Sequence, residues 1–304
     1  MKQVIKGLHH ISAFTKSAKT NHYFYTVVLG LRFVKSTVNQ ENTSIRHLFY
    51  GDYQGNPGTL LTFFELKRAG RSYNETNYFS TVTLKIPKGT LSYWKTRLAH
   101  FSIENHVDLE NQRLFFKDPD QMELSLIEVD DIILTENATK HSDIPQSNQI
   151  IGIFEAELTV KRPDETLSFL KTFLGLTPTN QHSQLKDTQQ SALTFVGSNK
   201  KSSLSRMGRG SIDHIAYTVS SAKELEELYQ KAVHHHIVIE QYIERGYFKS
   251  LYVKEPNGLR IEIATETPGF TLDEPLEALG NKLALPIFLE NKRAVIEAQL
   301  EDFQ

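Results

Sequence analysis

Polar and apolar positions along this chain change period in a repeating order. Residues 7–15 (GLHHISAFT) alternate as a strand does, with His10, Ser12 and Phe14 on one face. Residues 18–29 then carry a helical pattern, and Phe24, Val27, Val28 and Leu31 fall at the i, i+3, i+4, i+7 spacing of one face. Leu29-Gly30-Leu31 ends that helix with a glycine stop. The same order returns later as a strand over 153–160, a helix from Pro163 and a stop at Leu174-Gly175-Leu176. "VLGLRFV" and "FLGLTPT" are the same helix exit written twice.

Two further segments match each other. A strand over 80–86 corresponds to one over 212–219, and each is followed by a helix. The later helix opens with the capping box Ser221-Ala222-Lys223-Glu224 and buries Leu225, Leu228, Tyr229 and Ala232. Residues 112–128 and 246–265 each read as strand, turn and strand, the turns built on Asp-Pro-Asp and Glu-Pro-Asn-Gly. The chain is thus four units of one strand, one helix and about three strands, an α+β design. Loops rich in Gly, Ser, Asn and Lys separate them near 67–77, 130–148 and 198–210. In chain order the units are 5–66 and 79–130, making a first domain over 5–131, then 151–198 and 211–267, making a second over 151–267. Residues 268–304 lie outside the repeat; Leu276, Leu279, Leu283 and a helix-like 289–300 suit a tail packed back on the core.

Composition narrows the function. At 304 residues with 39% hydrophobic content, the chain can bury two cores, and no apolar run nears the roughly 18 residues that span a bilayer. The N-terminal residues lack the apolar stretch of a secretory signal, and the expected location is the cytoplasm. A net charge of −2 with mixed signs argues against nucleic acid or anionic lipid as a partner. With no cysteine, any metal must be held by histidine and carboxylate.

Candidate chemistry lies in the repeat. "GLHHIS" opens the first unit and "SIDHIA" the fourth, so His10 and His214 occupy equivalent strand positions. Glu262, between Ile261 and Ile263, points to the face those two avoid. A buried unpaired carboxylate is expensive, and a cation relieves it. Two imidazoles and a carboxylate are the set that grips Fe(II) on one face and leaves the opposite positions open. The repeat supplies a control, since alignment on Pro119 and Pro256 places Ser125 where the fourth unit has Glu262. Thr81 likewise replaces His214, and Glu155 stands near the place of His10. One shared ion therefore requires unit 1 to pair with unit 4, and unit 2 with unit 3. Of the other histidines, His234-His235-His236 reads as a solvated helix end, and His47 as a residue able to line the cavity.

As a set, "LHHISAFT", "FYTVVLGLRFVKSTVN", "HLFYGDYQGNPGTLLTFFE", "YFKSLYVKEPNGLRIEIATETPGF" and "LPIFLE" resemble the vicinal oxygen chelate superfamily. Glyoxalases, bleomycin-resistance proteins and extradiol dioxygenases belong to it, and the closer resemblance is to hydroquinone-type ring-cleaving dioxygenases. The resemblance implies βαβββ modules forming two open barrels, and Fe(II), with Mn(II) as a substitute, held by His10, His214 and Glu262. It places His9, Ser12, Arg245 and Tyr252 around the substrate, a small aromatic diol met by O2, and leaves room for a homo-oligomer. Arg245 is a permanent cation suited to a phenolate, and Tyr252 a hydroxyl donor. The residue before the second ligand, often histidine in these enzymes, is Asp213, which puts the proton-transfer step in doubt. Position 12 has Ser where Thr is usual.

The expected activity is opening of a hydroquinone-like ring by O2, in detoxification or catabolism of aromatic and quinone compounds. A glyoxalase-type isomerase is the alternative, but that chemistry generally uses a fourth protein ligand. Aligning Gly58 with Gly258 puts Thr62 in that place. A non-enzymatic sequestering protein is the third reading.

Overall fold

The computed structural model describes residues 4–140, 143–184, 193–199, 201 and 203–303. Each unit folds in the predicted order. The first comprises β1 (Gly7–Thr15), α1 (Ala18–Tyr23), β2 (Arg32–Val38), β3 (Arg46–Gly51) and β4 (Leu60–Glu65). The second has β5 (Tyr78–Pro87), α2 (Leu91–His100), β6 (Asn105–Asp108), β7 (Arg113–Lys117) and β8 (Glu123–Val129). The third has β9 (Gly152–Val160), α3 (Pro163–Thr172), β10 (Thr177–Thr179), β11 (His182–Gln184) and β12 (Leu193–Ser198). The fourth has β13 (Ile212–Val219), α4 (Ala222–His234), β14 (Ile239–Glu244), β15 (Lys249–Lys254) and β16 (Arg260–Thr265).

The strands make two open, eight-stranded sheets. One runs β14-β15-β16-β13-β1-β4-β3-β2 and joins units 1 and 4; the other runs β10-β11-β12-β9-β5-β8-β7-β6 and joins units 2 and 3. Within each unit the first and last strands pair in parallel, and the two units of a sheet meet through antiparallel first strands. At the β1–β13 seam His10 lies opposite Ala216 and Ser12 opposite His214, so both histidines come to the centre of one sheet.

Strand alternation sorts the two faces. Ile215, Tyr217 and Val219 of β13 enter the main core beneath the helices, as do Leu225, Leu228 and Ala232 of α4. Each Ile, Val or Leu side chain among them contributes roughly 1.5–3 kcal/mol by leaving water. The intervening residues face the concave side, where His214 and Glu262 lie. The capping box forms in modified form: Ser221 Oγ accepts from the Glu224 amide at 3.2 Å, and the Glu224 carboxylate accepts from the Ser220 amide at 2.9 Å.

The first helix departs from the regular pattern. After α1 the chain widens into a π-type turn over Phe24–Val28, with the Leu29 amide donating to the Phe24 carbonyl at 3.0 Å. Phe24, Tyr25 and Val28 are all buried along this turn. Gly30 then takes φ +71°, the left-handed value that makes it the stop.

The tail crosses back over the first sheet. The Ala284 amide donates to the Ser36 carbonyl at 2.8 Å, and the fully buried Lys35 ammonium pairs with Asp273 at 2.7 Å and with Glu274. Tail residue Phe270 packs against Phe49 and Phe248 at the cavity's edge. The stretch expected to be one helix is a tight turn over Ile287–Lys292 followed by α5 (Arg293–Gln299). Among the described residues, no helix is long and apolar enough to cross a membrane.

Candidate metal centre

His10, His214 and Glu262 converge on one buried point from β1, β13 and β16. Their candidate ligand atoms all lie within 4.8 Å of one another. His10 Nε2 is 3.2 Å from His214 Nε2, and Glu262 Oε2 is 3.1 and 2.8 Å from those two nitrogens. Glu262 is fully buried; its Oε2 lies against those two imidazole nitrogens, and its Oε1 has no hydrogen-bond partner among the described residues. Lone pairs and a buried carboxylate aimed at one spot are costly without a cation, and a divalent ion fits them.

The electrostatics agree with that geometry. Burial opposes ionisation of Glu262, but the imidazoles of His10 and His214 outweigh it and hold the carboxyl well below its usual range. Burial chiefly pushes His10 down, leaving it neutral. For His214 burial also acts downward, yet hydrogen bonds to Asp213 and Glu262 prevail and raise the imidazole to about 9.

Both histidines of the triad are held from behind. Asp213 Oδ2 lies 2.7 Å from His214 Nδ1, and Arg260 Nη1 donates to the same oxygen at 2.9 Å. Arg260 is itself held by Glu240 at 2.7 Å. His9 Nδ1 lies 2.9 Å from His10 Nδ1; with Nε2 of His10 facing the common point, His10 is the donor. Phe248 packs against both His9 and His10.

The cavity in front of the triad is lined by His10, Ser12, His47, Phe49, Phe64, His214, Arg245 and Tyr252, among others. Tyr252 stands opposite Glu262 in the β15–β16 pair, and its ring meets that of His214 edge-on at 5.5 Å. Burial, with Glu262 adding to it, raises the Tyr252 hydroxyl, so it is a donor at neutral pH. The Arg245 guanidinium lies 5.1 Å from the Tyr252 ring centroid and donates to Gln241 at 2.7 Å. Behind it, Gly246 at φ +89° presents a bare α-carbon to tail residue Pro286, which an added Cβ would meet at 3.3 Å.

The sequence-derived residues are therefore assembled in one region, with two differences of place. Asp213 lies in the adjoining depression beside Arg260 and Glu240, against the back of His214. His9 likewise sits behind His10. His47 does line the cavity, and His234, His235 and His236 are exposed at the end of α4. Sequence reasoning missed Arg260 and Glu240. Arg260 was signalled weakly, lying two residues before Glu262 and hence on its face.

The second sheet carries the counterpart without the ligands. Thr83 lies opposite Ser125 as Ala216 lies opposite Glu262, so Ser125 stands in the carboxylate's place and Thr81 in that of His214. Glu155 matches His10, three residues after the glycine that opens each strand. A guanidinium supplies the positive charge there: Arg113 Nη1 lies 2.8 Å from Glu155, 3.1 Å from Glu157 and 3.1 Å from Thr83 Oγ1.

Comparison with known proteins places this arrangement. The sequence model of the Glyoxalase/Bleomycin resistance protein/Dioxygenase superfamily matches residues 152–263. The chain is 36% identical to the Bacillus subtilis (strain 168) protein named "Putative ring-cleaving dioxygenase MhqA", over 99% of each chain. It is 27% identical to the "Chlorohydroquinone/hydroquinone 1,2-dioxygenase" of Sphingobium indicum, over 98% of this chain and 97% of that one. A crystal structure titled "putative dioxygenase from Bacillus subtilis" superposes with a TM-score of 0.91 at 28% identity, covering 100% of this chain and 99% of the other.

Proposed function

Because the chain belongs to the glyoxalase/bleomycin resistance protein/dioxygenase superfamily, we propose that it is an iron-dependent dioxygenase opening a hydroquinone-like aromatic diol with O2. The observation that carries this reading is a three-ligand set with a threonine in the place of a fourth. Thr62 pairs with Ser12 as Glu262 pairs with Ala216, and a threonine hydroxyl is a poor metal ligand. Held by His10, His214 and Glu262, Fe(II), or Mn(II) in its stead, would supply open positions for a substrate oxygen and O2 and a route for electron density between them. A four-ligand isomerase is less well served by the same residues.

The remaining residues act on the substrate. Phe49, Phe64 and Phe248 give flat apolar walls for an aromatic ring. Arg245 neutralises a phenolate, and Tyr252 donates a hydrogen bond to an oxygen beside the ligands. Ser12 offers a hydroxyl at the cavity floor. His9 and Asp213 hold the two imidazoles in the orientation and tautomer that ligation needs. The role we assign is removal of aromatic diols and the quinones related to them.

The test is oxygen consumption by anaerobically iron-loaded protein offered para- and ortho-diols. Uptake with para-diols that is lost in His214→Ala together with bound iron supports the assignment. Turnover of hemithioacetals without oxygen uptake would move it to an isomerase.

A further inference from the structure

Ser12, Thr62 and His47 form an unbroken row of hydrogen-bonding side chains leading away from the triad. Ser12 Oγ lies 2.5 Å from Thr62 Oγ1, which lies 3.1 Å from His47 Nε2. Both hydroxyl residues are fully buried, and Ser12 and His47 line the same cavity as His10 and His214. The His47 ring is stacked on Phe64 at 3.9 Å and tilted against Phe49 at 4.1 Å, so its plane is fixed. Each hydroxyl can accept one hydrogen bond while donating another, and only the imidazole at the far end can keep a proton.

We propose that His47 accepts the hydroxyl proton of an aromatic diol docking in the cavity, by way of Ser12 and Thr62. This rests on the function proposed above. The diol O–H donates to Ser12 Oγ, the Ser12 proton passes to Thr62 Oγ1, and the Thr62 proton passes to His47 Nε2. The substrate oxygen keeps its electron pair, so a phenol and an imidazole become a phenolate and an imidazolium, with nothing oxidised or reduced. Charged and titratable groups facing His47 are His10, His214, Arg245 and Glu262. Burial first, with repulsion from the basic groups His10, His214 and Arg245 adding to it, holds His47 well below the usual histidine range. It is therefore neutral and able to accept in the free protein, and an arriving phenolate supplies the anion its charged form lacks.

The test uses zinc-loaded protein, which cannot turn over, and 4-nitrophenol, whose colour reports ionisation. Wild-type protein should bind it as the phenolate well below the pH at which the free phenol ionises. His47→Gln and Thr62→Val should raise the pH of ionisation of the bound phenol by about 1 unit, weakening binding near neutrality about tenfold and leaving it unchanged at high pH. Metal stoichiometry should stay the same. An unaltered ionisation pH in metal-replete variants overturns the relay, and Thr62→Val alone decides if His47→Gln does not fold. Wild-type protein that fails to bind the phenolate also overturns it, whatever oxygen uptake shows. A variant effect on nitrophenol without oxygen uptake by the iron form would instead retain the relay and remove the dioxygenase reading.

Discussion

Thr62 and Glu262 are structural mates. One lies across from Ser12 in the β1–β4 pair, the other across from Ala216 in the β13–β16 pair, each two residues beyond a histidine of the triad. Replacing Thr62 with glutamate should therefore add a fourth ligand. Without metal, Thr62→Glu should be less stable than wild type, because a buried carboxylate lacks a partner. With metal it should bind about tenfold tighter, and oxygen uptake should fall as an open position is lost. Chelator competition and thermal melts of both forms read this. Unchanged affinity would mean that residue 62 does not reach the ion.

Asp213 touches His214 on the side away from the cavity, with Arg260 donating to the same oxygen. Asp213→Ala should weaken metal binding by about 10–100-fold while the fold persists. Chelator competition measures this. Wild-type affinity in the variant would show that the contact does not orient the ligand.

Stability and metal affinity should move in opposite directions with pH. In the metal-free protein, burial lowers His214 but its two carboxylate partners raise it to about 9, above the ordinary 6.5. Between those values the folded chain binds more protons than the unfolded one. The stabilisation is complete below about 6.5 and is lost as pH rises through about 9. A metal must displace that proton, so apparent affinity should climb about tenfold per pH unit across the window. Melting curves of both forms should show the metal-free protein weakening and the gap between forms widening. A constant gap would contradict this titration.

In the second sheet Arg113 has the opposite role to a removable ion. Its side chain is 14% exposed and that of Glu155 only 1%. Arg113→Ala should strand the glutamate and cost about 3–5 kcal/mol in urea denaturation, with metal stoichiometry untouched. His182 Nε2 lies 3.1 Å from Glu155 Oε2, and a loss below about 1 kcal/mol would show that it or water compensates.

How much of this was legible in the sequence depends on how local each signal is. The period-2 pattern set His10, His214 and Glu262 on their faces, and two glycine stops marked the helix exits. The pairing of unit 1 with unit 4 followed from asking where one ion could sit. The π-type turn after α1 was not legible, because its apolar spacing is that of an ordinary helix. Nor was the Glu240–Arg260–Asp213 chain, which exists only once β14, β15, β16 and β13 lie side by side. Lys35 reads in sequence as a surface residue, yet it is buried by carboxylates of the tail more than two hundred positions away.

The central claim is that His10, His214 and Glu262 hold one metal at which both atoms of O2 enter an aromatic ring. Iron-loaded protein given hydroquinone under isotopically heavy oxygen tests it directly by mass spectrometry of the product. Wild type should form a ring-opened product carrying both heavy atoms when it is trapped before its aldehyde exchanges with water, and Glu262→Gln should form none. A product carrying no heavy atom, or equal turnover by the variant, would contradict it.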